Sequence, residues 1–132
     1  MLDLKRLTHM AKAGCWEIHP AMESGSDSIL EEIKKAIRRD HVDRTVEAAQ
    51  IAGVKIYYGF IVPHPGDSKA TVAEIFRFIR GLASRGVGIS LSTITPFPGS
   101  PLWRAHELHG VKILSKDWFD YDYCSLLSRP NT

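Results

Sequence analysis

Three runs along this chain alternate apolar and polar residues with a period of two, and each leads through a turn into a run whose apolar residues recur with helical spacing. The clearest is Val54 to Val62. There Val54, Ile56, Tyr58, Phe60 and Val62 share one face, while Lys55, Tyr57, Gly59 and Ile61 share the other. A strand that passes into a helix and then into another strand needs a crossover connection, which makes the strands parallel neighbours and the class α/β. The 132 residues and 44% hydrophobic content supply enough apolar surface for one core, so one compact unit is expected.

The same reading places the other elements. Asp3 caps a helix over Leu4 to Ala13, with Leu4, Leu7 and Ala11 in register and Gly14 as its stop. A strand runs from Cys15 to Met22, with Trp16, Ile18 and Met22 on one side and Glu17, His19 and Glu23 on the other. Ser26 or Asp27 caps the next helix, whose buried stripe is Ile29, Leu30, Ile33 and Ile37. Its acidic Glu31 and Glu32 precede Lys34 and Lys35, the order that suits the helix dipole.

A further helix spans His41 to Ala52 and stops at Gly53. After the strand Val54 to Val62, the turn Pro63 to Gly66 leads to a helix capped by Asp67 or Ser68 and ended at Gly86. A third strand covers Gly88 to Thr95 and closes in Pro96-Phe97-Pro98-Gly99. Residues 1–108 thus form the α/β unit. Residues 109–132 read as a packed or irregular tail containing the aromatic and acidic stretch Trp118 to Tyr123.

Seventeen Lys and Arg against fifteen Asp and Glu leave a formal charge of +2, with the basic residues scattered, so charge does not imply nucleic acid as a partner. The only two cysteines, Cys15 and Cys124, are far apart, which gives neither a zinc ribbon nor a disulfide framework and fits a reducing cytoplasm. No run is long and apolar enough for a membrane span, and the amino terminus does not read as a signal peptide.

In parallel α/β folds, ligands gather at the carboxyl ends of the strands. Three loops lie there: Glu23 to Ser26, Pro63 to Asp67, and Thr95 to Pro101. The first combines a carboxylate able to accept from a sugar diol with serines leading into a helix N-terminus, although serines at a helix start are also ordinary caps. The other two are proline-rich turns that fix the backbone as a rigid wall. A metal reading stands beside this one: His19 and Glu23 share a strand face and His64 lies at the next strand's end, which would suit a metal-dependent hydrolase or oxygenase if the three converge. A third reading is a non-catalytic interaction module whose exposed strand edges recruit a partner.

Taken together and in order, the three loops resemble the second half of radical S-adenosylmethionine enzymes, especially the group that often carries a cobalamin-binding domain upstream. Its motifs are similar to Gly-x-Glu-Ser-Gly-Ser, Phe-Ile-x-Gly-x-Pro-Gly-Glu-Thr and Thr-Pro-x-Pro-Gly-Thr-Pro-Leu. This chain has Ala21-Met22-Glu23-Ser24-Gly25-Ser26, then Phe60 to Ser68, then Thr95-Pro96-Phe97-Pro98-Gly99-Ser100-Pro101-Leu102. Ala21 and Pro63 stand where that family usually has glycine.

The resemblance implies strands four to six of a six-stranded partial (β/α) barrel of TIM type, about three parallel strands with covering helices. It implies S-adenosylmethionine as cofactor, with Glu23 and Ser24 toward its ribose and methionine parts, Ser26 among the binding residues, Ile61 against the adenine, and Thr95 and Pro96 at the rim near the base. A [4Fe-4S] cluster and, in the cobalamin-associated group, cobalamin are the further cofactors it implies. The family's Cys-x-x-x-Cys-x-x-Cys motif is absent from this sequence. The chain is therefore expected to be a fragment, inert alone, that is completed by the missing amino-terminal half of its barrel and forms homo-oligomers in isolation.

Overall fold

The structure, a computed structural model, describes residues 2–121 and the backbone of 128–130. A four-stranded parallel sheet forms its centre. The central strand β3 (Lys55–Ile61) pairs on one side with β1 (Glu17–Ile18) and then β2 (Ala21–Glu23), and on the other with β4 (Gly88–Ser92). The first expected strand is thus two short strands in line. Pro20, which has no N–H to give to a ladder, separates them. Beyond it the register slips: Ala21 faces Gly59 but Glu23 faces Phe60, so one extra residue of β2 bulges at the carboxyl end of the sheet. Glu23 takes up that excess with a left-handed backbone, φ 74°.

The period-two reading of the faces holds along β3. Ile56, Tyr58 and Phe60 are buried on the face that α3 (Arg39–Ala52) and α4 (Lys69–Ala83) cover, together with Met22, Val42, Val46 and Leu82. Lys55 and Tyr57 on the opposite face are exposed, as are Ala21, Ser90 and Ser92, which share that face by register. Among the described residues, helices therefore cover one face of this sheet only. A parallel sheet covered on one face is consistent with a partial β/α fold.

Local chemistry explains where the helices begin and end. Asp3 accepts from Arg6 N at 2.9 Å and starts α1 (Leu4–Lys12), and that backbone hydrogen bond holds its carboxyl below the usual range. The second helix, α2 (Asp27–Glu32), is shorter than its stripe of isoleucines suggests, because Lys34 turns left-handed (φ 57°) and Lys35 N closes onto Leu30 O at 2.8 Å. Arg39, at the start of α3, reaches Asp27 of α2 at 3.3 Å and Glu74 of α4 at 2.9 Å, tying the outer layer together. α4 opens with a capping box in which Ser68 Oγ accepts from Thr71 N (3.2 Å) and Thr71 Oγ1 accepts from Ser68 N (2.8 Å).

Past the sheet, Ser100 caps the short α5 (Pro101–Arg104). The tail is not irregular throughout: β5 (Val111–Ile113) pairs antiparallel with β6 (Ser128–Pro130), and a 3-10 turn covers Trp118–Asp120. The expectations for Tyr123 and Cys124 fall outside the described residues. Among the described residues, no helix is long and apolar enough to cross a membrane.

Candidate functional site

At the carboxyl end of the sheet the bulged end of β2, the last residues of β3 and the segment leaving β4 surround a cavity of about 580 Å3. Glu23, Gly59, Ile61, Ser92, Thr93, Ile94, Thr95, Phe97 and Tyr121 line it. The size suits a small organic ligand, and its mix of apolar walls and few polar groups is typical of ligand pockets. Gly59 adds no side chain to the floor, and no atom lies within 4 Å of where its Cβ would stand.

Glu23 is the charged group of this wall. Lys35 Nζ donates to its Oε1 at 2.9 Å, and the carboxylate side chain keeps 23% of its exposure. In sequence, Lys35 belongs to the helix dipole pattern. The left-handed turn at Lys34 instead ends α2 and brings the ammonium back over β2, an effect no periodicity reports. At the opposite lip, Tyr121 stands among Phe97 (centroids 5.9 Å), Trp118 (5.9 Å) and Trp103 (6.3 Å), and its hydroxyl donates to Ser115 O at 3.1 Å. Desolvation, aided by the Asp120 charge, raises the Tyr121 phenol above its ordinary pKa.

Of the expected ligand-facing residues, Glu23, Ile61 and Thr95 line the cavity. Ser24, Ser26 and Pro96 do not; each is buried inside the fold. Ser24 Oγ accepts from Ser26 N at 3.2 Å, and Ser26 Oγ shares a 3.0 Å hydrogen bond with Ser28 Oγ, so these hydroxyls serve the turn. Between them, Gly25 allows α4 to pack directly on the loop: a Cβ there would stand 3.1 Å from Ile75 Cα and 3.1 Å from Phe78 Cβ. The Glu-Ser-Gly-Ser run thus presents its carboxylate to the cavity and spends its other residues on helix packing.

The second loop is built for rigidity. Asp67 accepts from His64 N (2.7 Å) and from Thr71 Oγ1 (2.7 Å), and the Val62–Pro63 peptide is cis. His64 is buried, and its Nε2 makes no hydrogen bond among the described residues. The expected convergence of His19, Glu23 and His64 does not form. His19 lies before the Pro20 break with its Nε2 on Glu17 Oε1 (2.6 Å), Glu23 is turned by the bulge toward Lys35, and His64 is enclosed in its loop. Among the described residues, no group of three or more His, Cys, Asp or Glu side chains is placed to hold a metal ion.

No protein-family profile matches the chain. It is similar to an uncharacterized methyltransferase of Pyrococcus horikoshii, with 27% identity over 112 residues, covering 85% of this chain and 24% of that protein. It is also similar to the tRNA-2-methylthio-N(6)-dimethylallyladenosine synthases of Frankia casuarinae (32% over 89 residues, 66% of this chain and 16% of the relative) and of a Parafrankia strain (29% over 99 residues, 74% and 19%). The chain therefore spans under a quarter of the length of each of these relatives. These similarities support a radical SAM-related origin, without singling out a group within it.

Proposed function

We propose that this chain forms part of the S-adenosylmethionine-binding wall of a radical SAM barrel. The observation that carries the reading is the cavity at the carboxyl ends of the strands, to which the first and third motif loops contribute Glu23 and Thr95 and the end of β3, just before the second loop, contributes Ile61. The residues present fit an adenosyl ligand. The Glu23 carboxylate is a double acceptor suited to a ribose diol, and Ile61 offers an apolar surface beside the side-chain-free Gly59 for a purine. Lys35 holds the Glu23 carboxylate in place through its 2.9 Å ion pair.

Bound S-adenosylmethionine supplies either a methyl group or, on one-electron reduction, a 5'-deoxyadenosyl radical. This chain's share of the work is binding and orientation: Glu23 fixes the sugar, and the apolar wall holds the base and excludes water. A [4Fe-4S] cluster does not fit these residues, because the sequence has two cysteines and such a cluster with one open iron needs three. Its ligands belong to another part of the barrel, and we assign the complementary half-barrel as the partner of the uncovered sheet face.

Isothermal titration of the chain with S-adenosylmethionine tests the reading. Saturable binding that Ile61→Asp abolishes is the expected result. Absence of binding at millimolar ligand overturns it.

A further inference from the structure

On the uncovered face of the sheet, next to the cavity, three side chains form an ordered cluster that the proposed function does not use. His19 Nε2 donates to Glu17 Oε1 at 2.6 Å, and the imidazole lies flat on the Tyr57 ring, with centroids 5.1 Å apart and planes within 9°. Tyr57 in turn rests over Gly88, where a Cβ would stand 2.1 Å from the ring. The cluster thus needs a glycine on the neighbouring strand to exist at all.

This arrangement has a chemical consequence. An ionised carboxylate only accepts, so Glu17 fixes the proton of neutral His19 on Nε2 and leaves Nδ1 as an acceptor. Nδ1 makes no hydrogen bond among the described residues, and the His19 side chain is 64% exposed. The stacked phenol restrains the ring. A base oriented by a carboxylate and presented on the ligand-bearing face of a sheet is the constellation that proton abstraction requires. Its place is also defined: Tyr57 and Gly59 lie on one face of β3, and Gly59 lines the cavity, so the imidazole lies about two strand residues, roughly 7 Å, from the cavity floor.

We infer that His19 is a general base, positioned by Glu17 and Tyr57, for a second substrate that shares the uncovered face with the cavity and presents an acidic X–H group, such as a hydroxyl or a heteroaromatic N–H. In that step Nδ1 takes the proton, X keeps the electron pair, and the imidazolium is neutralised by the Glu17 carboxylate. The inference builds on the reading of the cavity as an adenosyl site, but its residues are outside that cavity.

The test uses the whole chain and 5-nitrobenzisoxazole, a planar probe whose C–H deprotonation breaks its N–O bond and releases a coloured cyanonitrophenolate. The expected result is a measurable rate that falls at least about 10-fold in His19→Ala. Imidazole 15N shifts should show the Nε2–H tautomer, and Glu17→Gln should mix the two tautomers while lowering the rate. A rate unchanged in His19→Ala, or an Nδ1–H tautomer in the unsubstituted chain, overturns the inference. S-adenosylmethionine binding is measured in parallel: loss of that binding with the His19-dependent rate intact would sink the cavity reading alone, and the reverse would sink the base alone.

Discussion

Glu23 holds its carboxylate at the cavity by means of a backbone conformation that side chains other than glycine and asparagine resist. Strain kept at a cavity-lining residue has an energetic signature. Both Glu23→Ala and Glu23→Gly remove the carboxylate and the Lys35 pair, so their difference isolates the backbone. We expect the glycine variant to be the more stable by about 1 kcal/mol in chemical denaturation, against the usual order of the two residues. Both should bind S-adenosylmethionine more weakly by roughly 1 to 3 kcal/mol, the cost of unpairing a charge-assisted hydrogen bond, as calorimetry on the variants would show. Equal stability would mean the bulge relaxes freely around residue 23. Gly25 makes the complementary case: its neighbour at 3.1 Å is α4 backbone, which cannot rotate aside, so Gly25→Ala should cost about 1 to 3 kcal/mol by the same measurement.

The elements place their energy on the covered face of β3, and Tyr58 shows it. Its ring is fully buried, and desolvation pushes the phenol up to about 12, opposed by a hydrogen bond with Thr45 and reinforced by the Asp43 charge. Because the folded pKa lies above the unfolded value near 10, the phenol's contribution is fully present below pH 10 and is lost as pH rises through 12. Two units correspond to roughly 2 to 3 kcal/mol, so stability should fall by about that much over this window. Tyr58→Phe should flatten the fall, as denaturant titrations at pH 9 and pH 11.5 would show; an equally steep fall in the variant would assign the alkaline loss to other groups.

What was legible in the sequence at this scale follows from which forces act locally. The faces of β3 and the caps Asp3 and Ser68 could be read because alternation and capping involve residues a few positions apart. Glu23, Ile61 and Thr95, read as strand-end residues in motif order, line the cavity. The Pro20 break, the bulge at Glu23 and the return of Lys35 were not legible, because each depends on register against β3 or on a left-handed turn at a lysine. Ser24, Ser26 and Pro96 hold matching places in the motifs, and their burial follows from tertiary packing that no local pattern reports. Tyr121 reaches the cavity only through the aromatic contacts of a tail whose pattern carries no period.

For the molecule as a whole, the uncovered sheet face is the dominant fact. Ala21, Tyr57, Ser90 and Ser92 on that face are exposed, and among the described residues the outer edges of β1, β2 and β4 pair with no further strand. Unpaired edges expose rows of N–H and C=O groups that template association, and Trp16 beside β1 adds an apolar surface 65% exposed. With that face uncovered, the chain has one ready cover at hand, a second copy of itself, and a twofold pair is the commonest closed arrangement. Light scattering coupled to size-exclusion chromatography should therefore give a mass above the 14.8 kDa of one chain, rising with concentration. Ser90→Arg places a charge on the uncovered face at the midpoint of the edge strand β4 and leaves the helix-covered core untouched, so it should return the mass to 14.8 kDa without loss of helical signal. A monomer at high concentration in the unsubstituted chain would mean instead that the face tolerates water unaided, which its serines and Lys55 would then explain.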